Sequence, residues 1–252
     1  MDDTLDVISS SLASSLRLWR GTNAHPATVQ PVKSLQLYDI EACPYCRLVR
    51  EALTELDLDA LIFPCPKSGR RYRPRAQKRG GRELFPYLVD QNTGTALYES
   101  ADIIAYLYRQ YGHRRPPSRL MRTLDVASSM SASAMRGRAG IHMRESVRPA
   151  KPLMLFSFES SPYSRRVREL LCELEIAYLL RSTGKAMWQD LGTPQLRSAL
   201  FPDLPVEGRC RRELLARTGR VQVPYLVDPN TGREMFESED ICRYLLENYA
   251  RA

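Results

Sequence analysis

The chain has 252 residues, 43% of them hydrophobic and 26% charged, enough apolar content for one large domain or two small ones with packed cores. Six cysteines over this length are too sparse for a disulfide scaffold, and the net charge of +8 suits anionic ligands or surfaces without speaking to fold. No apolar run approaches the ~20 residues of a membrane span, and the acidic start MDDTLDV lacks the basic segment of a signal peptide. The expectation is a protein without stable membrane insertion, cytoplasmic or inside an organelle after removal of a targeting segment.

In chain order, Leu5, Ile8, Leu12, Leu16 and Trp19 recur at helical spacing and predict a leader helix within residues 1–33. A globular unit follows over 34–113. SLQLYDI (34–40) reads as a strand, and Pro44–Leu56 as a helix with Val49, Ala52, Leu53 and Leu56 on one face. ALIFP (60–64) is a second strand. The basic stretch KSGRRYRPRAQKRGGR (67–82) reads as a loop with room for one short helix. FPYLVD (85–90) and TALYE (95–99) form a hairpin across QNTG, and Ser100 caps a helix to about residue 111. The order β-α-β-α-β-β-α gives a mixed four-stranded sheet flanked by helices. A linker over 114–151 carries a second leader helix with Val126, Met130 and Met135, and a second globular unit occupies 152–252.

The chain is written twice. Leu35–Leu56 matches Leu153–Leu174 at 12 of 22 positions, and Pro86–Leu107 matches Pro224–Leu245 at 14 of 22. The leaders repeat as well, 5–21 matching 124–140 at 9 of 17 positions, so the duplicated unit is a helix plus a globular half. About 20 extra residues lie within 182–215 of the second copy.

ACPYCRLVREAL (42–53) is the stretch that carries chemistry. Two cysteines at this spacing can be half of a metal site, structural thiols or a redox pair. A zinc site wants a second ligand pair. Cys65, Cys172, Cys210 and Cys242 contain no second Cys-x-x-Cys, and His25, His113 and His142 are not at ligand spacing, so no metal is expected. As a redox pair the arrangement is sound. Cys43 precedes a helix whose free N–H groups and dipole favour the thiolate, lowering its pKa from ~8.5 toward ~3.5–7.5. Pro44 costs nothing at the first helical turn, and Cys46 lies one turn away, able to displace a mixed disulfide. The second copy reads SSPYSRRVRELL (160–171), both cysteines replaced by serine. Cys65 ends the second strand and is either a third exchanging thiol or an inert one. The basic stretch is a solvated loop or an attractor of carboxylates and acidic partners. Nucleic acid is not expected, because Tyr72 is the single aromatic among its arginines.

Cys43-Pro44-Tyr45-Cys46 matches the glutaredoxin active-site sequence. The flanking RLVREAL, FPYLVD and YESADIIAYL resemble the N-terminal domain of glutathione transferases. The resemblance covers roughly 34–111 and 152–249 and implies two tandem thioredoxin-like folds, each preceded by a leader helix, with no room for the transferase's helical C-terminal domain. It implies that Cys43 is the nucleophile, Cys46 the resolving thiol, and Pro86 a cis-proline that leaves the Phe85 backbone to pair with glutathione. Glu99 and Ser100 would hold its γ-glutamyl end, with Tyr45 in the same pocket. The second-copy counterparts are Ser161, Val223, Pro224, Glu237 and Ser238.

The expectation is therefore a glutathione-dependent thiol–disulfide oxidoreductase whose second half is redox-inactive. Its partners would be glutathione and glutathionylated or disulfide-bonded proteins. The alternatives are a non-catalytic module binding glutathione or a protein, and, ranked lower, a serine-type transferase working through Ser161.

Overall fold

Each half folds as its hydrophobic periods dictate. The computed structural model describes residues 3–117, 119–137, 139–190, 199–201 and 204–251; the rest of the second copy's extra segment lies outside them. The first copy runs β1 (Leu35–Asp39), α2 (Pro44–Glu55), β2 (Ala60–Pro64), α3 (Arg73–Gly80), β3 (Tyr87–Asp90), β4 (Thr95–Tyr98) and α4 (Ser100–Gln110). The second runs β5 (Leu153–Ser157), α6 (Pro162–Glu173), β6 (Tyr178–Ser182), α7 (Arg209–Thr218), β7 (Tyr225–Asp228), β8 (Arg233–Phe236) and α8 (Ser238–Tyr249), with a 3₁₀ turn at Trp188–Asp190. The leaders are α1 (Asp3–Leu16) and α5 (Arg119–Met135). Both halves are thioredoxin-like. No helix among the described residues is long and apolar enough to cross a membrane.

β1 pairs parallel with β2 and antiparallel with β3, and β5 repeats this with β6 and β7. The halves do not keep separate sheets. Ala60, Leu61 and Ile62 of β2 lie opposite Leu180, Leu179 and Tyr178 of β6, antiparallel, giving one eight-stranded sheet ordered β4-β3-β1-β2-β6-β5-β7-β8. Each half thereby covers the apolar edge strand that the other would leave exposed. The main core runs through both halves, with Leu37, Val49, Leu53 and Leu107 in one and Leu155, Val167, Leu171 and Leu245 in the other.

The leaders cross over: α1 packs on α6 of the second copy and α5 on α2 of the first, while α1 and α5 pack on each other. Arg17 beyond α1 pairs with Glu51 at 2.5 Å, and Arg136 beyond α5 pairs with Glu169 at the same distance. Gly21 lets its loop close onto the second half, because a Cβ there would come 2.8 Å from the Cβ of Glu159. The basic stretch is more than a solvated loop: the backbone N–H groups of Arg70 and Arg71 donate to the Glu175 carboxylate of the second half.

Between the halves lies a buried ion network. Arg50 reaches Asp39, Glu41 and Glu159, and Arg168 reaches Glu41 at 3.0 Å and Glu159 at 3.1 Å. Each copy's arginine thus contacts the other copy's glutamate. Burial would raise Glu159, but the Arg168 and Arg50 charges outweigh it and hold the carboxyl at about 2. For Glu41 burial wins over the same two arginines and raises it to about 7.

Candidate functional site

The sheet register brings the predicted residues of the first copy to one end of β1. Tyr38 lies opposite Tyr87 and Tyr87 opposite Tyr98. The chain beyond Tyr38 leads to Cys43, that before Tyr87 is Phe85–Pro86, and that after Tyr98 is Glu99–Ser100. The Phe85–Pro86 peptide is cis, as is Val223–Pro224 in the second copy. Glu99, not Ser100, is the N-cap of α4; Ser100 is already its first helical residue and is buried. Glu99 adopts φ 64°, ψ 119°, and Glu237 matches it at 65° and 118°. A non-glycine residue rarely holds such a conformation unless its surroundings impose it.

Cys43 is the N-cap of α2, half-buried with extended backbone angles, and Tyr45 beside it is exposed. A hydrogen bond from the Cys46 thiol, then the backbone N–H groups of Cys46 and Tyr45 and the Arg50 charge, outweigh burial. They hold the Cys43 thiol at about 7, below its ordinary 9.0. Cys46 is fully buried, and burial together with the neighbouring Cys43 pushes its thiol well above 9.0. Its sulfur accepts from the Ile40 N–H at 3.5 Å. The pair is thus split into a half-buried thiol of lowered pKa and a buried thiol of raised pKa.

Arg50 is a contributor that the motif alone does not reveal. It lies seven residues beyond Cys43 on α2, and its role as part of a network spanning the two halves is visible only once the halves meet.

Two of the remaining thiols, Cys65 and Cys172, lie near the Asp39 charge that also acts on Cys46. Cys65 is buried at the end of β2, where burial and the nearby Asp39 charge push its thiol well above 9.0. Cys172 is buried in α6 and accepts from the Glu41 N–H, and Cys242 packs against the core from α8.

The second copy converges in the same way, Phe156 lying opposite Tyr225 and Tyr225 opposite Phe236, but its groups are occupied. Ser161 is 2% exposed, and its hydroxyl accepts from the Ser164 N–H at 3.2 Å, capping α6. Ser160 beside it is closed off by Ser14 of α1, whose hydroxyl donates to the Ser160 carbonyl at 2.7 Å, and by Thr22. Glu237 accepts from Gln222 at 2.6 Å. Leu84 stands at the position of Gln222 in the first copy, and the Glu99 carboxylate has no hydrogen-bond or ion-pair partner among the described residues. That difference is written in the repeat, two residues before each cis-proline, and sequence reasoning passed over it.

Among solved structures, a glutathione transferase of Bombyx mori is 30% identical over 34% of this chain and 39% of its own, with a TM-score of 0.29. A delta-class glutathione transferase of Nilaparvata lugens is 31% identical over 31% of this chain and 36% of its own, at 0.26. A Leishmania protein described as a unique trimeric glutathione transferase aligns over 88% of this chain and 68% of its own, at 13% identity and 0.28. The chain thus spans well under half the length of the first two. No curated protein matches it. The family described as glutathione S-transferase, N-terminal domain, matches residues 37–116 and again 155–252, together most of the chain. By that double match, and by a thioredoxin-like fold in each matched segment, this chain belongs to the glutathione S-transferase N-terminal domain family.

Proposed function

We propose that the protein is a glutathione-linked thiol–disulfide oxidoreductase working through Cys43 and Cys46 of the first copy. The observation that carries this reading is the division of labour in the pair: a half-buried Cys43 held at about 7 beside a buried Cys46 held high. The Cys43 thiolate attacks the glutathione sulfur of a protein–glutathione mixed disulfide, forming a Cys43–glutathione disulfide and expelling the protein thiolate, which takes up a proton. The Cys46 thiol loses its proton as its sulfur attacks Cys43, expelling glutathione thiolate and leaving a Cys43–Cys46 disulfide. Two glutathione molecules then reduce that disulfide and leave as glutathione disulfide.

Glutathione would lie between Cys43, the Phe85–Pro86 peptide and the first turn of α4. There the unpartnered Glu99 carboxylate is free to take its α-amine, and the helix N-terminus its α-carboxylate. Ser161, buried and engaged in capping, has no chemical role in this reading. The second copy serves as scaffold.

The test compares Cys43→Ser with Cys46→Ser on a glutathionylated protein substrate. Cys43→Ser is expected to abolish turnover. Cys46→Ser keeps removal of glutathione, since glutathione itself can resolve the intermediate. Parent rates in Cys43→Ser would end the proposal. Glutathione binding by calorimetry without turnover in the parent would favour the binding-module reading instead.

A further inference from the structure

The buried ion network between the halves has too few negative charges, and the repeat shows why. It holds four arginines, Arg47 and Arg50 of α2 with Arg165 and Arg168 of α6, each at most 2% exposed. Against them stand three carboxylates, Asp39, Glu41 and Glu159. Glu51 and Glu169, on the same two helices, are each held by a leader arginine, Arg17 and Arg136. Glu41 has its counterpart in Glu159, but the counterpart of Asp39 is Ser157. Arg50 donates to the Asp39 carboxylate, whereas Arg168 donates to the neutral Ser157 hydroxyl at 2.9 Å. This one exchange of acid for serine leaves a surplus positive charge in a dry interior, where an unpaired ion is costly. Protonation of Glu41 near pH 7 widens the surplus.

Hydrogen bonding locates the surplus. Arg50 and Arg168 are tied to carboxylates and to the carbonyls of Glu41 and Glu159. Arg47 is not. Its Nε and Nη1 have no hydrogen-bond partner among the described residues, and Glu159 stands 4.0 Å away. Arg165 donates from its terminal nitrogens to Ser10 and Ser14 of α1, but its Nε is unpartnered too. The leaders dock alike, the hydroxyls of Ser10 and Ser129 donating to the carbonyls of Pro162 and Pro44, so Ser133 of α5 answers to Arg47 as Ser14 does to Arg165. The Ser133 hydroxyl is likewise buried without a partner among the described residues. Burial first, then the Arg47 charge, pull the Arg165 guanidinium down to about 9, and burial lowers Arg47 as well. Two like charges thus face each other from equivalent positions. Buried donors ordinarily have acceptors, and buried cations have anions.

We propose that one monovalent inorganic anion of the halide class binds between Arg47 and Arg165 and clasps α2 of the first half to α6 of the second. The charge of the ligand follows from the surplus, which a single negative charge offsets. Its acceptor character follows from the groups that meet it, guanidinium N–H and serine O–H, all donors. A divalent oxyanion fits less well: it overshoots the surplus and brings further negative oxygens toward Glu159, 4.0 Å from Arg47. The second copy has lost its cysteines and one acid, and on this reading the lost acid is replaced by an ion from solution.

The experiment is thermal unfolding of the full chain at constant ionic strength, with gluconate exchanged stepwise for chloride. The parent's midpoint is expected to rise with chloride and then level off as the site fills. Ser157→Asp restores the missing counter-charge beside Arg168, and about 10-fold more chloride should be needed for the same rise, on the scale of one added charge in a partly screened interior. Diffraction from parent crystals grown in bromide gives a reading independent of any variant: an anomalous peak is expected between Arg47 and Arg165. Both readouts are separate from Cys43 chemistry, so they stand whether or not the redox reading does. A midpoint indifferent to chloride, an unshifted response in a folded Ser157→Asp, or ordered water in place of the bromide peak would overturn the proposal.

Discussion

At the scale of single residues, the first copy differs from the second in whether its groups are committed elsewhere. Cys43 and Ser161 occupy the same N-cap, yet Ser161 accepts the Ser164 N–H and is sealed, whereas Cys43 remains accessible. With its thiol at about 7 against an ordinary 9.0, Cys43 is about half thiolate near neutral pH. Its alkylation by iodoacetamide should therefore rise through a midpoint near pH 7, while Cys46, raised by burial, stays unreactive until far higher pH. Mass spectrometry of the labelled chain across pH checks this, and a Cys43 midpoint near 9 would contradict it. Glu99 supports a second prediction: on the proposed function, in which Glu99 takes the α-amine of glutathione, Glu99→Gln should raise the KM for glutathione about 10-fold, on the scale of one charge-assisted hydrogen bond. The matching Glu237→Gln change, at a carboxylate already held by Gln222, should leave kinetics unaltered.

At the scale of elements, the parts that local patterning specifies were legible: the strands, the long helices, the hairpins and the doubling. Thr95–Tyr98 and Arg233–Phe236 follow from their turn residues and α2 from its apolar spacing, both local properties. Two features were misread or missed because they depend on contacts distant in sequence. Ser100 looks like a cap by residue type, but the positive φ of Glu99 shifts the helix start by one. Arg50 and Arg168 carry no signal in the local pattern, yet both are fully buried against carboxylates of both halves. That network yields a stability prediction. Replacing Glu159 by Gln leaves Arg50 and Arg168 short of a counter-charge in a dry interior, which should cost about 3–5 kcal/mol in denaturant unfolding. The pH dependence has two signs. Glu159, depressed to about 2, contributes stability that is complete above its unfolded pKa near 4.5 and is lost as pH falls toward 2. Glu41, raised to about 7, acts oppositely, and its contribution fades as pH rises from 4.5 through 7. Unfolding midpoints across pH 2–8 should rise from the acid end and then flatten or dip near neutrality, and Glu41→Gln should remove the dip.

For the whole molecule, the doubled sheet and the crossed leaders make the halves mutually dependent. The β2 edge is covered by β6, the leader of one copy packs on the globular half of the other, and the buried arginines find part of their counter-charge across the boundary. A fragment of residues 34–116, although it holds the entire Cys43 site, would expose an apolar strand edge and strand Arg50 without Glu159. It should accordingly lack a cooperative unfolding transition and associate through β2. Adding the complementary fragment 117–252 would restore the sheet partner and α5 but not α1, whose serines close the α6 end. Co-expression of 1–116 with 117–252 should therefore rescue a soluble complex with reactive Cys43, and 34–116 with 117–252 should do so poorly. Pull-down yield and the Cys43 alkylation rate measure both. An isolated 34–116 that folds cooperatively with parent reactivity would mean the second copy is dispensable to the site, and the role assigned to it here as scaffold would fall.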